Sequence, residues 1–408
     1  MKILSGFSRI LTGIVFIFSG FVKAVDPLGS TYKFTDYFYA FNLPSLEVMS
    51  LPLALVLSAF ELLVGISILT GYRIRLGAWA LTLFMALFTV LTFYLALANP
   101  VTDCGCFGDA IIMTNWQTFF KNLILLPFVT VIFLRRNKIL PVYRDYQEWT
   151  YLALFTILIL SLQVYSLRHL PLLDFRPYHI GTYIPDKMTV PEGMPHDEYQ
   201  AFLYYEKDGN VEEFTEDDFP WDDSTWTFID TKHVLVSKGY EPPIHDFTIA
   251  DQEGFDLTDM ILSDQEYTML LVSNNLAKAD PEVLMKANDL ALYCSSRNCS
   301  FYCISSSSRD EVEEISASLG LVYEIYTTDE ITLKTIIRSN PGLMLLKNGV
   351  VLNKWHANDL PEFQNPDEQF LANALNQERK SKERNLVFFM SVSLLFIFLL
   401  IRYLRPTR

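Results

Sequence analysis

The chain has 408 residues, half of them hydrophobic, and a mean hydropathy of +0.21, too apolar for a soluble domain and too charged for a membrane bundle alone. Residues 168–385 hold 39 of the 47 carboxylates but 18 of the 32 Lys and Arg, a net charge of −21, while the rest of the chain is net +6. An acidic soluble part on a mildly basic membrane part argues against nucleic-acid binding, which needs a basic face.

Six segments have the roughly 20 largely apolar residues that a membrane span requires. They are residues 3–22, 48–70, 75–97, 117–134, 149–167 and 386–403. Residues 1–22 read as an uncleaved anchor, because Lys23 and Asp26-Pro27 stand where a signal peptide would carry small residues. Lys2, Arg73, Arg75, Arg135, Arg136, Lys138, Arg144, Arg402, Arg405 and Arg408 share one side if both termini are cytoplasmic. The loops 23–47 and 98–116 and the region 168–385 then face the periplasm of a bacterial inner membrane. Arg379, Lys380, Lys382 and Arg384 oppose this orientation, but Glu378 and Glu383 are interleaved with them.

Arg9 and Glu61 are the ionisable residues within the first two of these spans. At 1.5 Å per residue they lie about 9 and about 13 Å from the same membrane face, on antiparallel neighbours. Three readings are open: a structural Arg9–Glu61 ion pair, a proton-relay role for Glu61, or a snorkelling Arg9 with Glu61 bonded to a Ser or Thr.

The loop after the third span reads Asp103-Cys104-Gly105-Cys106-Phe107-Gly108-Asp109. A disulfide between cysteines one residue apart closes a small ring, and strain makes such a bond easier to reduce. Gly105 supplies the freedom for closure and Gly108 the turn toward the next span. Asp103 and Asp109 are expected to raise the thiol pKa values, favouring an electron-accepting disulfide over an attacking thiolate. A loop staple or a reduced pair is the non-catalytic alternative. No metal site is expected from two sulfurs or from the spacing of the six histidines.

Arg9, Gly13, Ile17-Phe18-Ser19-Gly20-Phe21 and Lys23-Ala24, with Glu61-Leu62-Leu63-Val64-Gly65 and Leu69-Thr70-Gly71, resemble the first two helices of DoxX-type proteins. Cys104-Gly105-Cys106-Phe107-Gly108 resembles the related MauE proteins, linked to methylamine utilisation and to disulfide maturation in the periplasm. The resemblance covers roughly residues 1–140. It implies a redox-associated four-helix membrane module with Cys104 and Cys106 as its catalytic pair. Residues 141–167 would add a fifth span, and 376–408 a sixth with a cytoplasmic tail.

Residues 168–240 read as a small β-rich linker subdomain, with Ala201-Phe202-Leu203-Tyr204-Tyr205 alternating before the turn at Asp208-Gly209. The acidic stretch Glu212 to Trp226 reads as a solvated face. In 241–375, Tyr267 to Val272 and Ser300 to Ile304 are predicted buried strands. Asp280-Pro281 caps a helix reaching about Cys294, and Gly320 closes another that starts at Arg309. Leu343 to Leu346 forms a third strand before a hairpin at Asn348-Gly349.

That order resembles a thioredoxin-like fold, with Pro341 in the place of its cis-proline. The C-x-x-C expected after the first central strand is missing, since Ser273 to Asp280 contains no cysteine. The resemblance therefore implies a binding scaffold without its own redox centre. Cys303 is expected to be inert core. Cys294 and Cys299 are a candidate structural disulfide, with a displaced redox pair as the other reading.

The fold class expected is thus a multi-domain membrane protein: an all-α four-helix bundle with two further spans and an α/β thioredoxin-like extramembrane domain. The function expected is transfer of electrons from a periplasmic thiol or disulfide protein, through Cys104 and Cys106, to a membrane carrier such as a quinone. Phe84, Phe88, Phe93 and Tyr94 are candidate walls for that carrier. A non-catalytic scaffold recruiting envelope partners is the alternative.

Overall fold

The computed structural model describes residues 2–139, 145–216 and 218–360, with positions 388 and 391. Apart from those two positions, the predicted span 386–403 lies outside the described residues, as does the basic cluster at 379–384. Among the described residues, five helices are long and apolar enough to cross a membrane. They are α1 (Lys2–Val25), α3 (Ser50–Thr70), α4 (Ile74–Ala98), α5 (Asn115–Arg135) and α6 (Asp145–Arg168). Between α1 and α3 lies the shorter α2 (Pro27–Ala40), started by Pro27 and by Asp26, whose side chain accepts from the Gly29 N–H.

Helices α1, α3, α4 and α5 share a core of Phe16, Val64, Ile68, Leu81, Met85, Leu125, Val129 and Ile132. Helix α6 packs outside it against α1 and α3. Glycines allow α1 and α3 to touch. A Cβ on Gly65 would lie 2.7 Å from the Ile17 backbone N, and one on Gly20 would lie 2.6 Å from the Leu62 N. Close backbone approach of this kind is what small residues supply in membrane helices.

After α6 comes the short α7 (Ile184–Met188), then an antiparallel sheet of β1 (Glu198–Lys207), β2 (Asn210–Thr215) and β3 (Thr227–Ser237) in the order β2-β1-β3. The rest is α8 (Thr258–Leu262), β4 (Tyr267–Ser273), α9 (Pro281–Ser295), β5 (Cys299–Ser305), α10 (Arg309–Leu319), β6 (Ile325–Thr327), α11 (Glu330–Ile336), β7 (Gly342–Lys347) and β8 (Val350–His356). The strand order is β6-β5-β4-β7-β8. Strands β4, β5 and β6 are parallel, while β7 runs antiparallel to both β4 and β8.

Side chains alternate across the central strand, as the pleat requires. Met269 and Leu271 meet α9, whereas Leu270 and Val272 meet α8 and α11. Both faces are covered, which is why the strand reads as an uninterrupted apolar run. This is a thioredoxin-like layer structure, and the Asn340–Pro341 peptide before β7 is cis.

The predicted linker at 168–240 is two things. Tyr178 and Ile184 are core residues of the thioredoxin-like domain. Their segment is bonded to β8, with the Gly181 N–H donating to the Val351 carbonyl at 2.8 Å. Only 198–237 forms the separate sheet. The partner of 178–184 is about 170 residues away, so local alternation does not reveal it. The ends of the domain are tied together: Asn358 Nδ2 donates to the Arg168 carbonyl at 2.8 Å, and His169 Nδ1 lies 2.7 Å from Asp359 Oδ1.

Inside the domain, Asp174 accepts from Arg176 Nε at 2.7 Å and from the buried Lys354 Nζ at 2.8 Å. Burial alone would raise its pKa, but Lys354 and Arg176 outweigh burial and hold the carboxyl below the usual carboxylate range. The folded pKa is depressed, so the stabilisation is present above an unfolded pKa of about 3.9 and is lost as pH falls through the folded value. Asp174→Asn is expected to cost about 3 kcal/mol at neutral pH and to flatten the acid limb of unfolding, read by thermal melts across pH. An unchanged melting temperature would refute the role.

Candidate redox site at the CGC loop

The loop between α4 and α5 is built on a fixed base. Asn115 Nδ2 donates to Asn99 Oδ1 at 2.8 Å and to the Val101 carbonyl at 2.7 Å. Thr114 and Gln117 cap α5 reciprocally. Gly105 and Gly108 take φ of +67° and +51°, left-handed values that a turn this tight needs. Cys104 is buried and Cys106 partly exposed, both are free thiols, and their sulfurs are 3.2 Å apart. Tyr37 Oη donates to the Cys104 carbonyl at 3.0 Å, and Ser19 Oγ lies 2.7 Å from the Cys106 carbonyl oxygen.

The flanking aspartates do not act as the sequence suggests. Asp103 accepts from the Gly105 N–H and pairs with Lys33. Asp109 pairs with Arg338 at 2.8 Å, and Arg338 also binds Asp26 at 2.9 Å. Each negative charge thus already has a cation. The Cys106 thiol is instead held below its ordinary range, first by the hydrogen bond from Cys104 and then by Lys121 and Lys23, against the opposing effect of burial. The same hydrogen bond, with burial, pushes the Cys104 thiol up.

The expected Arg9–Glu61 pair is also corrected. Glu61 Oε2 is 2.7 Å from Lys23 Nζ and accepts from Ser19 Oγ at 2.7 Å. Arg9 Nε donates to the Ile68 carbonyl at 2.9 Å, and its Nη2 to that of Leu69 at 3.2 Å. Leu69 lies more than two helical turns beyond Glu61. Depth measured from each helix end misleads because Arg9, seven residues into α1, already lies opposite the end of α3. The glycine contacts fix that register.

Cys106, Phe107, Ser19, Glu61, Lys121, Asn122, Phe84 and Phe88 line a narrow cleft inside the bundle. Phe84 and Phe88 stack at 4.1 Å. Phe93 and Tyr94, the other two expected walls, are exposed on the bundle surface.

In the thioredoxin-like domain, Pro341 sits beside a polar cluster rather than a thiol. Ser273 Oγ donates to Asn340 Oδ1 at 2.7 Å, and Asn340 Nδ2 to the Asn275 carbonyl at 2.8 Å. Cys294 and Cys299 are free thiols with sulfurs 3.1 Å apart. They lie at the opposite end of the sheet from Pro341, since Cys299 pairs with Tyr267 and Gly342 with Val272. Cys303 is fully buried and its pKa is raised by that burial.

Reading the sequence for thiols and intramembrane charges missed Lys121, Tyr37 and Arg338. Arg338 precedes the cis-proline by three residues, yet nothing local marks it as the contact to the membrane region.

Residues 1–135 match the family model described as methylamine utilisation protein MauE. Residues 199–238 match a model described as a domain of unknown function (DUF8463). No curated protein matches the chain. A solution structure described as a candidate protein disulfide isomerase from Bacteroides thetaiotaomicron aligns at 16% identity and a TM-score of 0.24, covering 33% of this chain and 85% of that one. By its family match and its own strand order, the chain joins a MauE-like membrane region, residues 1–135, to a thioredoxin-like domain.

Proposed function

We propose that Cys104 and Cys106 form a thiol–disulfide exchange site that accepts electrons from a thiol protein and passes them to a quinone in the membrane. The reading places the chain in a bacterial inner membrane, with its N-terminus cytoplasmic and its thioredoxin-like domain periplasmic. The observation that carries it is the pair itself, two sulfurs 3.2 Å apart with Cys106 opening into the intramembrane cleft. Lowering the Cys106 pKa stabilises the reduced pair, and a stabilised reduced form makes the disulfide a stronger oxidant.

A client dithiol attacks the Cys104–Cys106 disulfide, passes through a mixed disulfide and leaves as its own disulfide. Two electrons and two hydrogens now reside on Cys104 and Cys106. Their transfer to a quinone yields quinol and restores the disulfide. The cleft suits such a carrier: stacked Phe84 and Phe88 give a flat apolar wall, and Lys121 and Asn122 supply donors for a carbonyl oxygen.

The test is alkylation trapping in cells. Cys104→Ser and Cys106→Ser are each expected to accumulate a mixed disulfide with the client, and quinone depletion is expected to leave the wild-type pair reduced. A pair that stays oxidised whatever the quinone supply, with no trapped client in either variant, would leave the scaffold reading in its place.

A further inference from the structure

Glu61 is a carboxylate inside a membrane bundle, 3% exposed, and thiol exchange alone does not require it there. Charges buried in a membrane are costly and mark ion or proton paths more often than packing. Its neighbours connect two spaces. On one side Glu61, Ser19 and Cys106 line the intramembrane cleft. On the other, Lys23 lines a second pocket, under the thioredoxin-like domain, together with Asp26, Lys33, Asp109 and Arg176. The Lys23 ammonium is 2.7 Å from Glu61 Oε2 and 2.8 Å from Ser19 Oγ, so it joins the two spaces. Arg176 is 2% exposed, and its Nη2 has no partner among the described residues. A buried donor of that kind at a polar pocket is answered by ordered water.

We propose that Glu61 is the proton acceptor and donor for Cys106, with Ser19 and Lys23 connecting it to the second pocket. The inference rests on the redox reading above and adds the route of the proton. The Cys106 S–H gives its proton to the Glu61 carboxylate while Lys23 stays charged, so the net charge of the cluster is unchanged. Oxidation of the pair by a quinone then moves two electrons and two protons, forms the S–S bond and leaves quinol. Glu61 hands the proton that started on Cys106 to a quinone oxygen, and its link through Ser19 and Lys23 to the second pocket keeps that proton in exchange with water. The proton on Cys104 follows along the 3.2 Å contact between the sulfurs. The charged and titratable groups facing Glu61 are Lys23 from α1, Cys104 and Cys106 from the loop, and Lys121 from α5. Helix α4 brings Phe84, Met85 and Phe88 to the cleft, and α6 meets α3 through Gln163.

The test uses the full chain, reduced and held in nanodiscs, with N-ethylmaleimide as probe. The rate of Cys106 modification is followed by mass spectrometry from about pH 3 to about pH 10, the range that spans ordinary carboxyl and thiol titration. Interacting groups titrate as a unit, so the wild-type profile is expected to rise in two steps. Glu61→Gln is expected to leave one step, and Glu61→Asp to keep two. The paired change Glu61→Gln with Lys23→Met removes both charges together, and it supplies the one-step profile if Glu61→Gln alone does not fold. A single step in the wild type, or a profile unchanged by Glu61→Gln, overturns the proposal. Oxidation of the wild type by a soluble short-chain quinone is measured separately. Its absence alongside a two-step profile removes the carrier reading and leaves the proton acceptor standing. Where the wild type is oxidised, Glu61→Gln is expected to slow the step about 100-fold.

Discussion

Gly65→Leu is expected to break the contact between α1 and α3 and to be the most damaging single change in the membrane region. The first atom added to Gly65 would already lie 2.7 Å from the Ile17 N and 3.0 Å from the Gly13 carbonyl. Both are backbone atoms of a helix, so no rotamer change relieves the clash and α1 must move as a rod. That movement pulls Ser19 and Lys23 away from Glu61, contacts that exist only at 2.7 Å. Overpacking of a well-filled core costs about 1–3 kcal/mol and sometimes more. A rigid backbone partner puts this site at the upper end, about 3 kcal/mol. Thermal unfolding in detergent measures it, with Gly6→Leu as the control, since a Cβ on Gly6 meets nothing within 4 Å. Equal melting temperatures for the two variants would show that the close approach is dispensable.

Arg338→Met is expected to undock the thioredoxin-like domain from the CGC loop. The Arg338 side chain is 5% exposed, and its guanidinium answers Asp26 and Asp109 together. Methionine keeps most of the volume and leaves two carboxylates facing each other across a partly buried interface. Removing one partner from a buried charge cluster costs about 3–5 kcal/mol. The expected readouts are faster proteolysis of residues 99–114 and faster alkylation of Cys106. Arg309→Met is the matched control, because Arg309 pairs with the exposed Glu313 on its own helix. Loop proteolysis and Cys106 alkylation both matching the wild type would show that Arg338 does not hold the domain in place.

Much of this arrangement is legible in the sequence because it is local. A run of twenty apolar residues is sufficient to announce a span. The continuous apolar run of β4 and the Asp280-Pro281 start of α9 are readable for the same reason. The CGC pair is visible because its two cysteines are neighbours in sequence. What escaped is non-local. Glu61 finds Lys23 rather than Arg9 because three glycines set the register of α1 against α3, and no count from helix ends supplies that. The charges beside the thiols change character because Lys33, Lys121 and Arg338 arrive from three other elements. The segment 178–184 reads as a linker until its partner strand β8 is in place.

The tie between Arg168 and Asn358 has a mechanical consequence. Where the chain enters the thioredoxin-like domain and where it leaves are one place, at the end of α6, and that place acts as a hinge. The Arg338 contact, set against α2 and the CGC loop, is the latch. A body held at two points has one easy motion, rotation about the hinge once the latch lets go. Because both ends stay anchored, reclosing is unimolecular. The fraction of time the CGC loop lies uncovered is then set by the strength of the latch and not by the amount of protein in the membrane.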